Sequence, residues 1–152
     1  MQKADSLTLH RWETPCSDVR EIFWFRTIET LLPNYTGSKL CFSIRDKKQI
    51  YNFIFTCYEV YQVTDERYLL HYWEVTNRNL DQRIGTTFIV RNSQWHESFT
   101  AMREQAVGTL HHYVISSNDS CLEILTNSLP EIRVSDLHDD PFFIDSDSGS
   151  LK

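Results

Sequence analysis

The feature that most constrains this chain is a period-two run over residues 39–55, broken once by a polar turn. Leu40, Phe42 and Ile44 alternate with Cys41, Ser43 and Arg45. Asp46-Lys47-Lys48-Gln49 follows, and the alternation resumes through Tyr51, Phe53 and Phe55. Such a pattern puts every second side chain on one face of a strand. Pairing Asp46 with Gln49 sets Ile44 opposite Tyr51, Phe42 opposite Phe53 and Leu40 opposite Phe55. A slip of one residue would turn half of these away from the core, so the register is strongly specified. The same pairing puts Cys41 and Cys57 on opposite faces, which argues against a disulfide between them.

Extending the pattern predicts a four-stranded antiparallel meander over residues 39–91. Its second turn is Thr64-Asp65-Glu66-Arg67, its third strand runs over 68–76, and its last strand carries Ile84, Thr86, Phe88 and Val90 on one face. Upstream, Leu7 and Leu9 suggest a short strand. Residues 17–32 then read as a helix: Ser17 caps, Asp18 and Glu21 lie in the first turn, and Pro33 ends it. Val19, Ile22, Phe23, Ile28, Leu31 and Leu32 recur there at helical spacing. Downstream, Asn92-Ser93 opens a predicted helix over 93–107, striped by Trp95, Phe99, Met102 and Ala106 and stopped at Gly108. A strand at 109–115, a short helix at 121–126 and an edge strand at 129–134 complete the reading. The expected class is α+β: an N-terminal helix, a four-stranded meander, then helix–strand–helix–strand. One domain, 1–135, precedes an acidic, flexible tail, 136–152.

Composition narrows the function. The aromatic share of 13% favours pleated sheet. A net charge of −6 and a pI near 5.4 argue against nucleic acid as a partner. No apolar run reaches the roughly 18 residues of a membrane span, and the first residues lack a signal-like apolar stretch. The expected location is the cytosol, with the nucleus added in a eukaryotic host.

Catalytic and metal chemistry find little support. His111 and His112 are adjacent on a predicted strand, so they point to opposite faces. The four cysteines and six histidines show no zinc or calcium spacing, so no metal and no cofactor is expected. There is no G-x-S-x-G elbow and no glycine-rich phosphate loop. The expectation leans away from an enzyme, with acid–base catalysis by an inward-facing Glu59 or Glu74 left open as part of the alternative reading.

Two features suggest binding to another protein, or to a second copy in a homodimer. In a meander the first and third turns share one end of the sheet, which would gather Arg45, Lys47, Lys48, Arg78 and Arg83 into a basic partner site. The tail carries Asp139-Asp140-Pro141-Phe142-Phe143-Ile144-Asp145, apolar anchors within an acidic flank. Asp140, Phe142, Phe143 and Ile144 are the candidate motif residues, and Ser146, Ser148 and Ser150 could add phosphate charge. The segment loosely resembles the Asp-Pro-Phe and acidic two-phenylalanine peptides of trafficking adaptors, departing from them at Ile144. The reading is therefore an adaptor or accessory protein acting through a sheet face or edge and its acidic tail. The alternative is a small-molecule pocket between sheet and helix 93–107, lined by Tyr61, Tyr72, Trp73 and Trp95, with Glu74 as an inward carboxylate.

Overall fold

The computed structural model describes residues 7–65, 84–93, 95–97 and 110–143. Among these are nine strands: β1 (Thr8–Arg11), β2 (Phe23–Leu31), β3 (Ser38–Arg45), β4 (Gln49–Phe55), β5 (Val60–Asp65), β6 (Thr87–Arg91), β7 (His111–Ser116), β8 (Ser120–Thr126) and β9 (Glu131–Asp136). They form two antiparallel sheets. Sheet I has five strands in the order β1-β6-β7-β8-β5, and sheet II has four in the order β2-β3-β4-β9.

The sheets pack face to face. Leu40, Phe42, Ile44, Tyr51, Phe53 and Phe55 from sheet II share one buried cluster with Tyr113, Ile115, Leu122 and Ile124 from sheet I. Trp12, from the link after β1, bridges them, with ring centroids 5.8 Å from Phe53 and 4.7 Å from Tyr113. Stacking two such faces removes both apolar surfaces from water, the main stabilising term available to a β-sandwich. Sheet I is also covered on its other face, where Leu9, Phe88, Val90, Val114 and Cys121 form a second cluster.

The β3–β4 hairpin has the register read from the sequence: Leu40 opposite Phe55, Phe42 opposite Phe53, Ile44 opposite Tyr51. Its turn is built by Asp46, whose Oδ1 accepts the backbone N–H groups of Lys48 and Gln49 at 2.7 Å each. The Tyr51 hydroxyl donates to the other oxygen at 2.9 Å. Burial works against the Asp46 charge, but these three bonds outweigh it and hold the carboxyl below its usual range.

The α+β expectation is overturned, because the described residues are almost entirely strand. Residues 23–31 are β2, where a helix was predicted. Their content of Phe23, Trp24, Phe25, Thr27, Ile28 and Thr30 favours a pleat, and β3 supplies the backbone bonds along the whole length. Ser17, expected as a helix cap, sits in a turn, accepting from the Thr14 N–H (2.7 Å) and donating to the Trp12 carbonyl (2.9 Å). Residues 121–126 are strand β8, buried on both faces, so their apolar run carries no alternation to mark it.

The continuous meander is also corrected. Residues 56–59 bend, and the chain leaves sheet II after β4 to enter sheet I as β5. The crossover is fastened to β8: the Glu59 N–H donates to the Leu125 carbonyl at 2.9 Å, and the Thr126 hydroxyl donates to the Cys57 carbonyl. β6 likewise belongs to sheet I, between β1 and β7. The expected strand at 68–76 lies outside the described residues. Of the expected helix 93–107, residues 95–97 are helical, Ser93 precedes them and accepts the His96 N–H at 2.9 Å, and residues 94 and 98–107 lie outside the described residues. The strand expected at 129–134 is β9, an edge of sheet II. All four cysteines are free thiols.

Candidate functional site

The outer face of sheet II begins with the β2–β3 pairing. Phe23 lies opposite Arg45 and Arg26 opposite Ser43, while the register shifts between Trp24 and Arg26. That bulge lets Phe23, Phe25 and Arg26 crowd one corner, as an extra strand residue re-aims its neighbours. The Arg26 guanidinium lies 5.0 Å from the Phe25 ring, and that of Arg45 lies 5.6 Å from Phe23.

After β9 the chain folds back onto this corner. Leu137 is 1% exposed, and its N–H donates to the Lys48 carbonyl at 2.9 Å. A 3-10 turn over Leu137–Asp139 then delivers Asp140, whose carboxylate takes both terminal nitrogens of Arg26 at 3.0 and 2.8 Å. Paired bonds from a planar guanidinium are among the strongest polar contacts available to side chains. They hold the Asp140 carboxyl below its usual range, against the smaller opposing effect of burial and with help from the Phe142 N–H. Phe142 lies 5.4 Å from the Arg26 guanidinium and Phe143 lies 5.7 Å from that of Arg45. Each arginine thus contacts one phenylalanine of β2 and one of the tail.

The predicted residues divide accordingly. Arg45 joins Asp140, Phe142 and Phe143 in one constellation. Lys47 and Lys48 are exposed on the β3–β4 turn, where Lys47 lies 3.6 Å from Glu21. Arg78, Arg83 and Ile144 fall outside the described residues, as do Tyr72, Trp73 and Glu74. Tyr61 and Trp95 lie on opposite faces of sheet I. Tyr61 packs at the inter-sheet core, edge-on to Tyr58 at 5.8 Å, and the Tyr58 hydroxyl donates to Glu29 at 2.6 Å. Trp95 stands over the outer face, T-shaped to His112 at 5.1 Å.

Two features escaped the sequence reading. Arg26 was hidden inside the supposed helix. The other is a buried polar relay on the outer face of sheet I. There His112 lies 3.0 Å from the Ser93 hydroxyl through Nδ1 and 3.1 Å from Glu123 through Nε2, while Gln62 donates to Glu123 at 2.6 Å. A carboxylate only accepts, so Nε2–H donates to Glu123, and in the neutral ring Nδ1 is then the acceptor for the Ser93 hydroxyl. The signal available was Glu123 itself, a lone charge inside an apolar run. Beside the relay is a cleft of about 490 Å³, lined by residues that include Arg91, Asn92, His96, Glu97 and His111. Burial, then the nearby His112 and His111 rings, keep the His96 pKa below its usual value. Among the described residues no group of three or more His, Cys, Asp or Glu is arranged to hold a metal ion. No helix among them is long and apolar enough to cross a membrane.

Comparison with protein-family models, curated proteins and solved structures returns no match.

Proposed function

We propose that this chain is a protein-binding module that takes an extended segment of another protein along the edge of β2 and the sheet II face beside it. The observation that carries the reading is the character of that edge. β2 is nine residues long and has β3 as its strand partner among the described residues. It exposes Trp24, Ile28 and Leu31 at 43, 46 and 69%. A long apolar edge is ordinarily guarded against pairing. Here the bulge at Phe25 guards only the first third, and Arg26 to Leu31 keep an unbroken register with β3. An added strand would gain main-chain hydrogen bonds from the edge and selectivity from alternate side chains.

Selection from a displayed library of random peptides tests this. Ligands are expected whose binding is lost on Ile28→Lys, which leaves the buried core untouched. Ligands indifferent to that change, or none at all, would refute the reading.

A second reading rests on the histidine-lined cleft, whose volume suits a small molecule. It predicts that a small-molecule library contains compounds that raise the melting temperature of the wild type but not of His111→Ala.

A further inference from the structure

We propose that the Arg26–Arg45 corner of sheet II is a receptor site for acidic, two-phenylalanine segments, and that residues 140–143 are its resident, displaceable occupant. The inference rests on the protein-binding reading above and names the partner's chemistry: a carboxylate followed, after one residue, by two adjacent aromatic rings.

The receptor half is made without the tail. Phe25 beside Arg26 and Phe23 beside Arg45 give two cation–aromatic pairs on adjacent strands, one pair for each incoming ring. The occupant half is equally self-contained. The Asp140 side chain accepts the Phe142 N–H at 2.9 Å, and its carbonyl accepts the Phe143 N–H at 3.1 Å. With Pro141 in the second position this is a short turn fixed by its own four residues. Outside these four residues the Asp140 N–H donates to the Leu137 carbonyl at 3.2 Å and the Phe143 ring lies 5.5 Å from that of His138, but the turn's own two bonds are internal, so another protein can present it.

Two observations mark the resident segment as replaceable. Phe142 remains 73% exposed in place, so it contributes little buried area. Arg26 spends its two terminal nitrogens on Asp140, while its Nε is buried with no hydrogen-bond partner. A buried donor left unsatisfied favours any ligand that brings one more acceptor. Tethering is what keeps the resident segment bound, through the high effective concentration of a short connection.

The test is fluorescence anisotropy with a labelled peptide, Asp-Asp-Pro-Phe-Phe-Ile-Asp. The full chain is compared with a full-length Asp140→Ala, Phe143→Ala variant whose clasp is released. Binding to the released chain is expected to be about tenfold tighter or more, because the tethered competitor is gone. Adding Arg26→Ala should weaken it at least about tenfold, and Arg26→Lys should not restore it, since an ammonium cannot make the paired bond. A peptide with asparagine in place of its second aspartate should fail in the same way, and this arm leaves the protein unaltered. Failure of the peptide to bind the released chain, or binding indifferent to both the Arg26 and asparagine changes, would overturn the proposal. Exchange of residues 140–143 between two copies, seen as a concentration-dependent mass in sedimentation, would also overturn it by assigning the site to a second copy. A library-selected β2 ligand on the released chain separates the two levels. If it binds and the acidic peptide does not, the receptor inference falls alone; if neither binds, both fall.

Discussion

Replacing His112 by alanine probes sheet I sharply, because the adjacent His111 is a control of identical chemistry on the opposite face. The His112 ring is fully buried between Ser93 at 3.0 Å and Glu123 at 3.1 Å, with Trp95 edge-on at 5.1 Å. A neutral hydrogen bond contributes about 1 kcal/mol net, and one to a charged group about 1.5–3 kcal/mol. The aromatic contact adds about 0.5–1.5 kcal/mol. Losing all three should destabilise the fold by roughly 3–5 kcal/mol, a large fraction of the total stability of an ordinary domain. His111 is exposed, so His111→Ala should change stability by less than about 0.5 kcal/mol. Urea denaturation followed by circular dichroism measures both through the shift in midpoint at constant slope. Equal losses for the two variants, or a His112→Ala loss below about 1 kcal/mol, would refute the assignment of these histidines to opposite faces of β7.

Three further outcomes follow from the packing and the clasp. Phe53 is fully buried opposite Phe42, so Phe53→Ala should cost about 3–5 kcal/mol in the same assay, while the half-buried Ile54→Ala costs less. Gly85 has φ +83°, and a Cβ there would run into the Ser17 carbonyl oxygen, so Gly85→Ala should destabilise by about 1–3 kcal/mol, visible as a lowered melting temperature. Arg26, foremost through its hydrogen bonds, lowers the Asp140 pKa, so the folded state binds fewer protons than the unfolded chain. The clasp's contribution is therefore fully present above about pH 4 and is lost as pH falls through the depressed value. NMR signals of the Phe142 and Phe143 rings should shift in that acid range in the wild type and stay fixed in Arg26→Ala.

How much of this was legible varied with sequence distance. The β3–β4 register could be read because its strands are neighbours, the alternation is clean and Asp46 sets the turn with its own side chain. β2 was masked by local signals that favour a helix start, Ser17, Asp18 and Glu21, whereas its strand state depends on pairing with β3. β8 was masked by burial on both faces, which erases the period on which the reading relied. The candidate site was half visible. Asp140, Phe142 and Phe143 stood out as anchors in an acidic stretch, and Arg45 as part of a basic turn. Their meeting point was not legible, because Arg26 lies 114 residues from Asp140 and follows a bulge that disrupts the alternation. The Ser93–His112–Glu123 relay joins three separate elements, and a diagonal contact between β7 and β8 cannot be read while β8 is taken for a helix.

The most direct test of the central claim is amide hydrogen exchange on β2 with and without a selected ligand. Strand addition predicts slowed exchange in the bound form at alternate residues of 26–31, with the buried hairpin β3–β4 unchanged. Unaltered exchange along β2, with protection appearing instead around His96 and His111, would contradict it and place binding at the cleft.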